Sequence, residues 1–117
     1  MKYSIEHNDK IAIFTLKHEK VDSDVAAEFK AKLLIVCQPD IDGLIIDLSP
    51  VEMIDSSGLG ALLLAHRQLK EYGIPLYLVG VHGMVKTLIQ ISQIEGLFRF
   101  TDSVDEAVDE LNRMIAS

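Results

Sequence analysis

The junction between a buried strand and a helix constrains this chain more than any other feature. Residues 43–48 are almost entirely apolar, without alternation, and this predicts a central strand covered on both faces. The Ala- and Leu-rich segment that follows Gly58 predicts a helix. Asp55, Ser56 and Ser57 stand at the mouth of that helix. Free backbone N–H groups and the positive end of the helix dipole collect there, so a side-chain oxygen or a phosphate is stabilised.

The remaining segments predict an α/β domain of order ββαβαβαβα, with a mixed five-stranded sheet and about four packed helices. One domain is expected to span residues 1–117, because 117 residues suffice for one core and not for two. Asp22 or Ser23 caps the first helix, and a capping box at residues 103–106 opens the last one. The predicted strands cover residues 3–7, 11–16, 43–48, 75–79 and 97–100. Met84, Val85, Leu88 and Ile91 form the apolar stripe of the third helix and are expected to be core.

Composition excludes several classes of partner. A net charge of −7 argues against nucleic acid or an anionic membrane. No apolar stretch approaches the roughly 20 residues of a membrane span, and the charged start does not resemble a signal peptide. The single cysteine, Cys37, is expected to be a small buried hydrophobe, and its solitude fits a reducing cytoplasm. No metal-ligand spacing occurs, so neither a metal nor a cofactor is expected.

Two enzymatic interpretations of the junction are weak. Gly58-Leu59-Gly60 lies between a strand and a helix, but a dinucleotide fingerprint requires a third glycine where Leu63 stands. A nucleophilic Ser56 requires a base, and His66 lies ten positions along the same helix, roughly 15 Å away. His7, His18 and His82 can approach only through the fold, so a small hydrolase stays a remote alternative.

A phosphorylation switch is the third interpretation. A phosphoserine at Ser56 adds a charge of about −1.5 to −2, which the helix dipole tolerates. A partner docked on the neutral serine then meets a dianion beside Asp55, so binding is lost while the fold survives. Gly58 and Gly60 are expected to admit the backbone of that partner. The competing structural interpretation is that Asp55 or Ser56 only caps the helix.

The segment IDLSPVEMIDSSGLGAL, residues 46–62, closely resembles the signature of STAS domains, and most of all bacterial anti-sigma factor antagonists. The match continues through residues 21–22 before the first helix, 85–88 and 96–107. The resemblance implies a binding protein without catalytic activity. Its partner would be an anti-sigma factor that is also a serine kinase, and a phosphatase would reset it. By position, the phosphoacceptor is Ser56 rather than Ser57, and Asp22 and Leu59 match partner-contacting positions.

Two departures from the family pattern concern loops. Residues 18–22 read HEKVD where the family often has a glycine ahead of its aspartate, and residues 92–94 lack a Gly-Leu pair. The first loop borders the expected docking face, so it bears on the choice of partner.

The sequence therefore predicts a cytoplasmic, monomeric adaptor, not an enzyme, that binds its kinase while Ser56 is unphosphorylated. The predicted docking and switch residues are Asp22, Asp55, Ser57, Gly58 and Leu59. The alternative is a STAS scaffold without a sigma-factor role, in which Ser56 is only a helix cap.

Overall fold

The structure, a computed structural model, describes residues 1–116. Seven strands, four α-helices and one 3-10 helix make up this part of the chain. The strands are β1 Tyr3–Asn8, β2 Ile11–Leu16, β3 Lys20–Val21, β4 Gly43–Asp47, β5 Met53–Ile54, β6 Leu76–Val79 and β7 Arg99–Thr101. The α-helices are α1 Ser23–Val36, α2 Ser56–Glu71, α3 Gly83–Ile91 and α4 Val104–Ala116, and the 3-10 helix is Glu95–Leu97.

The predicted mixed five-stranded sheet with four helices is confirmed. Its strand order is β1-β2-β4-β6-β7, with β1 antiparallel to β2 and every other pair parallel. Central β4 pairs with β2 and β6, so Ile45 lies between Ile13 and Tyr77. Both faces of β4 are covered, as its unbroken apolar sequence predicts: Leu44, Ile45 and Ile46 are all inaccessible to solvent.

The two faces of the sheet are covered unequally. The larger core cluster includes buried residues of α1, α2 and α3, and its aromatic centre is Phe14, which stacks on Tyr3 and meets the edge of Phe29. Among residues 1–116, the helix that packs on the opposite face is α4, through Ala107 and Leu111. None of the helices in residues 1–116 has the length and apolarity that a membrane crossing requires.

A second, two-stranded sheet was not predicted. Strands β3 and β5 pair in parallel, with Lys20 opposite Met53 and Val21 opposite Ile54. The backbone N–H groups of Glu52 and Met53 donate to the Glu19 carbonyl at 2.7 and 2.9 Å, which extends this pairing by one residue. The segment between β2 and α1, for which no strand was predicted, therefore ends in a strand.

Three local predictions need correction. In α3, Val85 and Ile89 are buried, whereas Met84 and Ile91 are 62% and 73% exposed, so half of the predicted stripe faces solvent. The strand predicted at residues 97–100 begins at Arg99, because Glu95–Leu97 turns as a 3-10 helix. The capping box of α4 is only half formed: the Ser103 hydroxyl accepts from the Glu106 N–H at 3.1 Å, without the reciprocal bond.

Cys37 is buried, as predicted. Burial raises the pKa of its thiol to about 11, since the charged thiolate is disfavoured in an apolar surrounding.

Candidate functional site

Asp55 closes the N-terminus of α2. Its carboxylate accepts hydrogen bonds from the backbone N–H groups of Ser57 at 3.0 Å and Gly58 at 3.1 Å. The hydroxyl of Ser57 donates to the same oxygen. The Ser57 hydroxyl, followed by the Gly58 N–H, lowers the pKa of Asp55, because both groups stabilise the ionised carboxylate. Asp55 is therefore the helix cap, and the alternative that Ser56 performs this role is wrong.

Ser56 is the first residue of α2 and is exposed. Within the described residues its hydroxyl makes no hydrogen bond, whereas that of Ser57 is held by Asp55. The Ser57 hydroxyl thus takes part in the helix cap, whereas the hydroxyl of the adjacent Ser56 does not. Sequence spacing alone could not separate them.

Asp22 plays the same part for α1. Its carboxylate accepts from the N–H groups of Asp24 and Val25, each at 3.1 Å. Because Val21 pairs with Ile54 in the small sheet, Asp22 and Asp55 directly follow a matched pair of residues. The two aspartates consequently line one shallow cavity, whose other walls belong to β3 and β5. Both N-terminal turns, with their carboxylates, face the same region of surface.

Gly58 and Leu59 are buried and contribute to packing in the interior. A Cβ atom on Gly58 would lie 2.4 Å from Cγ1 of Ile54 and 3.0 Å from Cγ1 of Val21. The absence of a side chain therefore lets α2 pack against β3 and β5, and the expectation that Gly58 admits the backbone of a partner stays a prediction. Leu59 is 8% exposed and belongs to the core. Gly60 is exposed, with no atom within 4 Å of an added Cβ.

Two exposed methionines near this surface were missed. Met53 on β5 is 48% exposed, and Met84 in the first turn of α3 is 62% exposed. Helix α3 contacts β5, the strand that carries Met53 and immediately precedes Asp55. The helical spacing of Met84 predicted burial, and nothing in the sequence marked its exposure.

The histidine contacts lie away from Ser56. His18 Nε2 accepts from the Lys2 N–H at 2.8 Å, and His82 Nε2 lies 3.0 Å from the Ser49 carbonyl oxygen. The ring of His66 packs edge-on against Phe98. In the described chain no histidine hydrogen-bonds to the Ser56 hydroxyl, so the nucleophile–base contact of a serine hydrolase is not formed. Residues 1–116 also contain no group of three acidic, histidine or cysteine side chains arranged to hold a metal ion.

Comparison with known proteins agrees with this architecture. An anti-sigma factor antagonist from Mycobacterium paratuberculosis is 20% identical, with a TM-score of 0.84 over 95% of this chain and 93% of that one. The Bacillus cell fate determinant SpoIIAA in its phosphorylated form is 19% identical, with a TM-score of 0.75 over 94% and 99%. A sulfate transporter family protein from Wolinella succinogenes is 22% identical, with a TM-score of 0.78 over 92% and 89%. The family model of the STAS domain matches residues 2–107, and the chain belongs to the STAS domain family.

Proposed function

We propose that this protein is an anti-sigma factor antagonist whose binding to an anti-sigma factor with serine kinase activity is switched by phosphorylation of Ser56. The observation that carries the proposal is the exposed Ser56 hydroxyl, which makes no hydrogen bond at the start of α2, while Asp55 caps the helix and holds Ser57. A kinase can modify this hydroxyl without breaking any hydrogen bond of the fold. The structural likeness to anti-sigma factor antagonists supports the same assignment.

The docking surface in this proposal combines the N-termini of α1 and α2 with neighbouring apolar side chains. Asp22 and Asp55 supply carboxylates, and Met53 and Met84 supply exposed apolar area. Polar groups that fix orientation beside apolar anchors are the usual composition of a specific interface. Leu59 is buried in the core beneath the N-terminus of α2, so in this proposal it positions the surface and does not contact the partner directly.

Phosphorylation changes this surface more than it changes the fold. The dianion stands at the positive end of α2, so the helix tolerates it. It also stands beside the ionised carboxylate of Asp55, whose pKa is already lowered by its hydrogen bonds. A docked partner must then desolvate two adjacent negative groups, and the cost falls on binding.

The partners in this scheme are the kinase, which inactivates the antagonist, and a phosphatase, which restores it. The protein itself acts as a monomeric, cytoplasmic binding module and not as an enzyme.

Incubation with the anti-sigma factor kinase of the same organism and Mg-ATP tests the proposal. We expect the intact mass to increase by one phosphate and peptide mapping to place it on Ser56. Ser56→Ala should abolish the modification and retain binding, whereas Ser56→Asp should weaken binding. Ser57→Ala is the matched control, since it removes the neighbouring hydroxyl and should still be phosphorylated. Modification of Ser57 instead, or equal binding of Ser56→Asp and wild type, would refute the switch.

A STAS binding module without a sigma-factor role is the second candidate, favoured by the likeness to the Wolinella sulfate transporter family protein. In that case the kinase should leave Ser56 unmodified, and pull-downs with wild type and Ser56→Asp should retain the same partner. The structure removes only one part of this alternative, namely the assignment of Ser56 as the helix cap.

A further inference from the structure

A formed cavity lies on a different part of the surface, between α3 and α4 at the carboxyl end of edge strand β7. It has a volume of about 410 Å³, within the range of small-molecule sites, and shares no lining residue with the cavity at Asp22 and Asp55. The cavity lies at the carboxyl end of the sheet, beside its edge strand rather than at a point where the strand order reverses. Its size is therefore what marks it as a candidate ligand site.

The apolar part of the lining includes an aromatic ring. Ile89 is buried and Val81 is half-buried, while Phe100 on β7 is 41% exposed. Phe98 holds the Phe100 ring in an edge contact, with centroids 6.3 Å apart and planes at 78°. The cavity thus has a positioned aromatic wall that the core does not cover.

The charged rim is unbalanced. Three exposed carboxylates, Glu95, Asp102 and Glu106, line the cavity with a single ammonium group, that of Lys86. In residues 1–116 none of the four forms an ion pair. The half-formed capping box adds to this: Glu106 gives its N–H to Ser103, but its carboxylate does not return the bond and stays available. The rim therefore favours a cation, with one positive group left to meet an anionic end.

We propose that this cavity binds a guanidinium-bearing ligand of the arginine type. A guanidinium is planar, packs against an aromatic ring and donates pairs of hydrogen bonds to carboxylates, and Phe100, Asp102 and Glu106 offer these groups in one lining. Lys86 on the α3 side then attracts the carboxylate of a free amino acid. The shared chemistry is the guanidinium, whether it comes from free arginine or from an arginine side chain of another protein.

Titration of the isotope-labelled full chain with L-arginine, followed by NMR, tests this proposal without any kinase or partner. We expect saturable shifts of the backbone amides around Phe100, Asp102 and Glu106. L-citrulline is the matched control, because a neutral urea replaces the guanidinium in a molecule of nearly the same shape. Equal shifts with citrulline, or arginine shifts spread over the whole surface, would overturn the proposal.

Variants locate the site. The double variant Asp102→Asn, Glu106→Gln should weaken arginine binding by about tenfold, and Phe100→Leu by about two- to fivefold. Asp109→Asn removes a negative charge from the same helix outside the cavity and should leave the affinity unchanged. An unchanged affinity in the double variant, with its spectrum still that of a folded protein, would contradict the assignment.

Two further probes distinguish the sources of the guanidinium. Lys86→Met should weaken free arginine but not agmatine, which lacks the carboxylate, if the ligand is a free amino acid. Arginine capped as its N-acetyl amide resembles a residue within a protein, and binding equal to that of free arginine would identify a partner's side chain. Failure of arginine, agmatine and the capped form to bind at millimolar concentrations would refute the site, and would leave the proposed switch at Ser56 untouched.

Discussion

Substituting Gly58 with alanine is expected to destabilise the protein, whereas the same substitution two residues later at Gly60 should stabilise it. An added Cβ at Gly58 would lie 2.4 Å from Cγ1 and 2.9 Å from Cδ1 of Ile54, well inside van der Waals contact. At Gly60 it would have no neighbour within 4 Å. Both glycines lie in α2, so the pair separates the effect of packing from that of helix propensity.

The magnitudes follow from two opposing terms. Alanine is favoured over glycine in a helix by roughly 0.8–1.0 kcal/mol, and somewhat less in the first turn. Overpacking costs about 1–3 kcal/mol, and a 2.4 Å approach to a β-branched side chain belongs near the upper end. We expect Gly58→Ala to lose about 1–2 kcal/mol net and Gly60→Ala to gain about 0.5–1 kcal/mol. For a chain of this length, 1 kcal/mol shifts the Tm by about 4 °C.

Thermal and urea unfolding of the two variants, with wild type, measure these differences. A double-mutant cycle with Ile54→Ala adds a direct test, because removing the obstructing side chain should recover much of the loss in Gly58→Ala. A Gly58→Ala protein that melts at or above the wild-type temperature would show that Ile54 yields without cost. In that case Gly58 would not determine how closely α2 packs against β5.

Three further predictions concern other positions. Asp55→Ala should lower the Tm at neutral pH. Because the pKa of Asp55 is lowered in the folded protein, the difference in Tm from wild type should persist above about pH 4 and shrink as the pH falls further. A difference in Tm that does not depend on pH would contradict the assignment of Asp55 as the helix cap. Cys37, with its raised pKa of about 11, should resist iodoacetamide at neutral pH in the native protein and react in urea, so stoichiometric native labelling would be the contrary result. Gly80→Ala should lower the Tm by about 8 °C or more, since φ is +69° and the new Cβ would lie 2.9 Å from Cα of Ser49; an unchanged melt would contradict this backbone geometry.

The main sheet and its helices were predictable because their signals are local. The uninterrupted apolar run of β4 indicates that both of its faces are buried. The helical spacing of Phe29 and Leu33 indicates which face of α1 is buried. Aspartate before a helical stripe predicts a cap, and Asp22 performs that role. The choice between Asp55 and Ser56 required coordinates, because both residue types cap helices and they are adjacent.

The pairing of β3 with β5 had no such signal. Each strand contains two residues, too few for a period of two to emerge, and the partners are about thirty positions apart. The role of Gly58 depends on this pairing, so it was equally out of reach. In α3, apolar residues occupy more than one face, and spacing could not say that Val85 would be buried and Met84 exposed.

The short pairing of β3 with β5 also determines where Asp22 and Asp55 lie relative to each other. The Asp55 N–H donates to the Val21 carbonyl at 3.2 Å, so the residue before Asp22 is held directly by the residue that caps α2. The side chains of residues 17 and 18, which precede this pairing and whose hydrogen bonds go to Lys2, can therefore change in charge while both aspartates keep their places. The charge of the chain ahead of β3 can thus vary without moving either carboxylate.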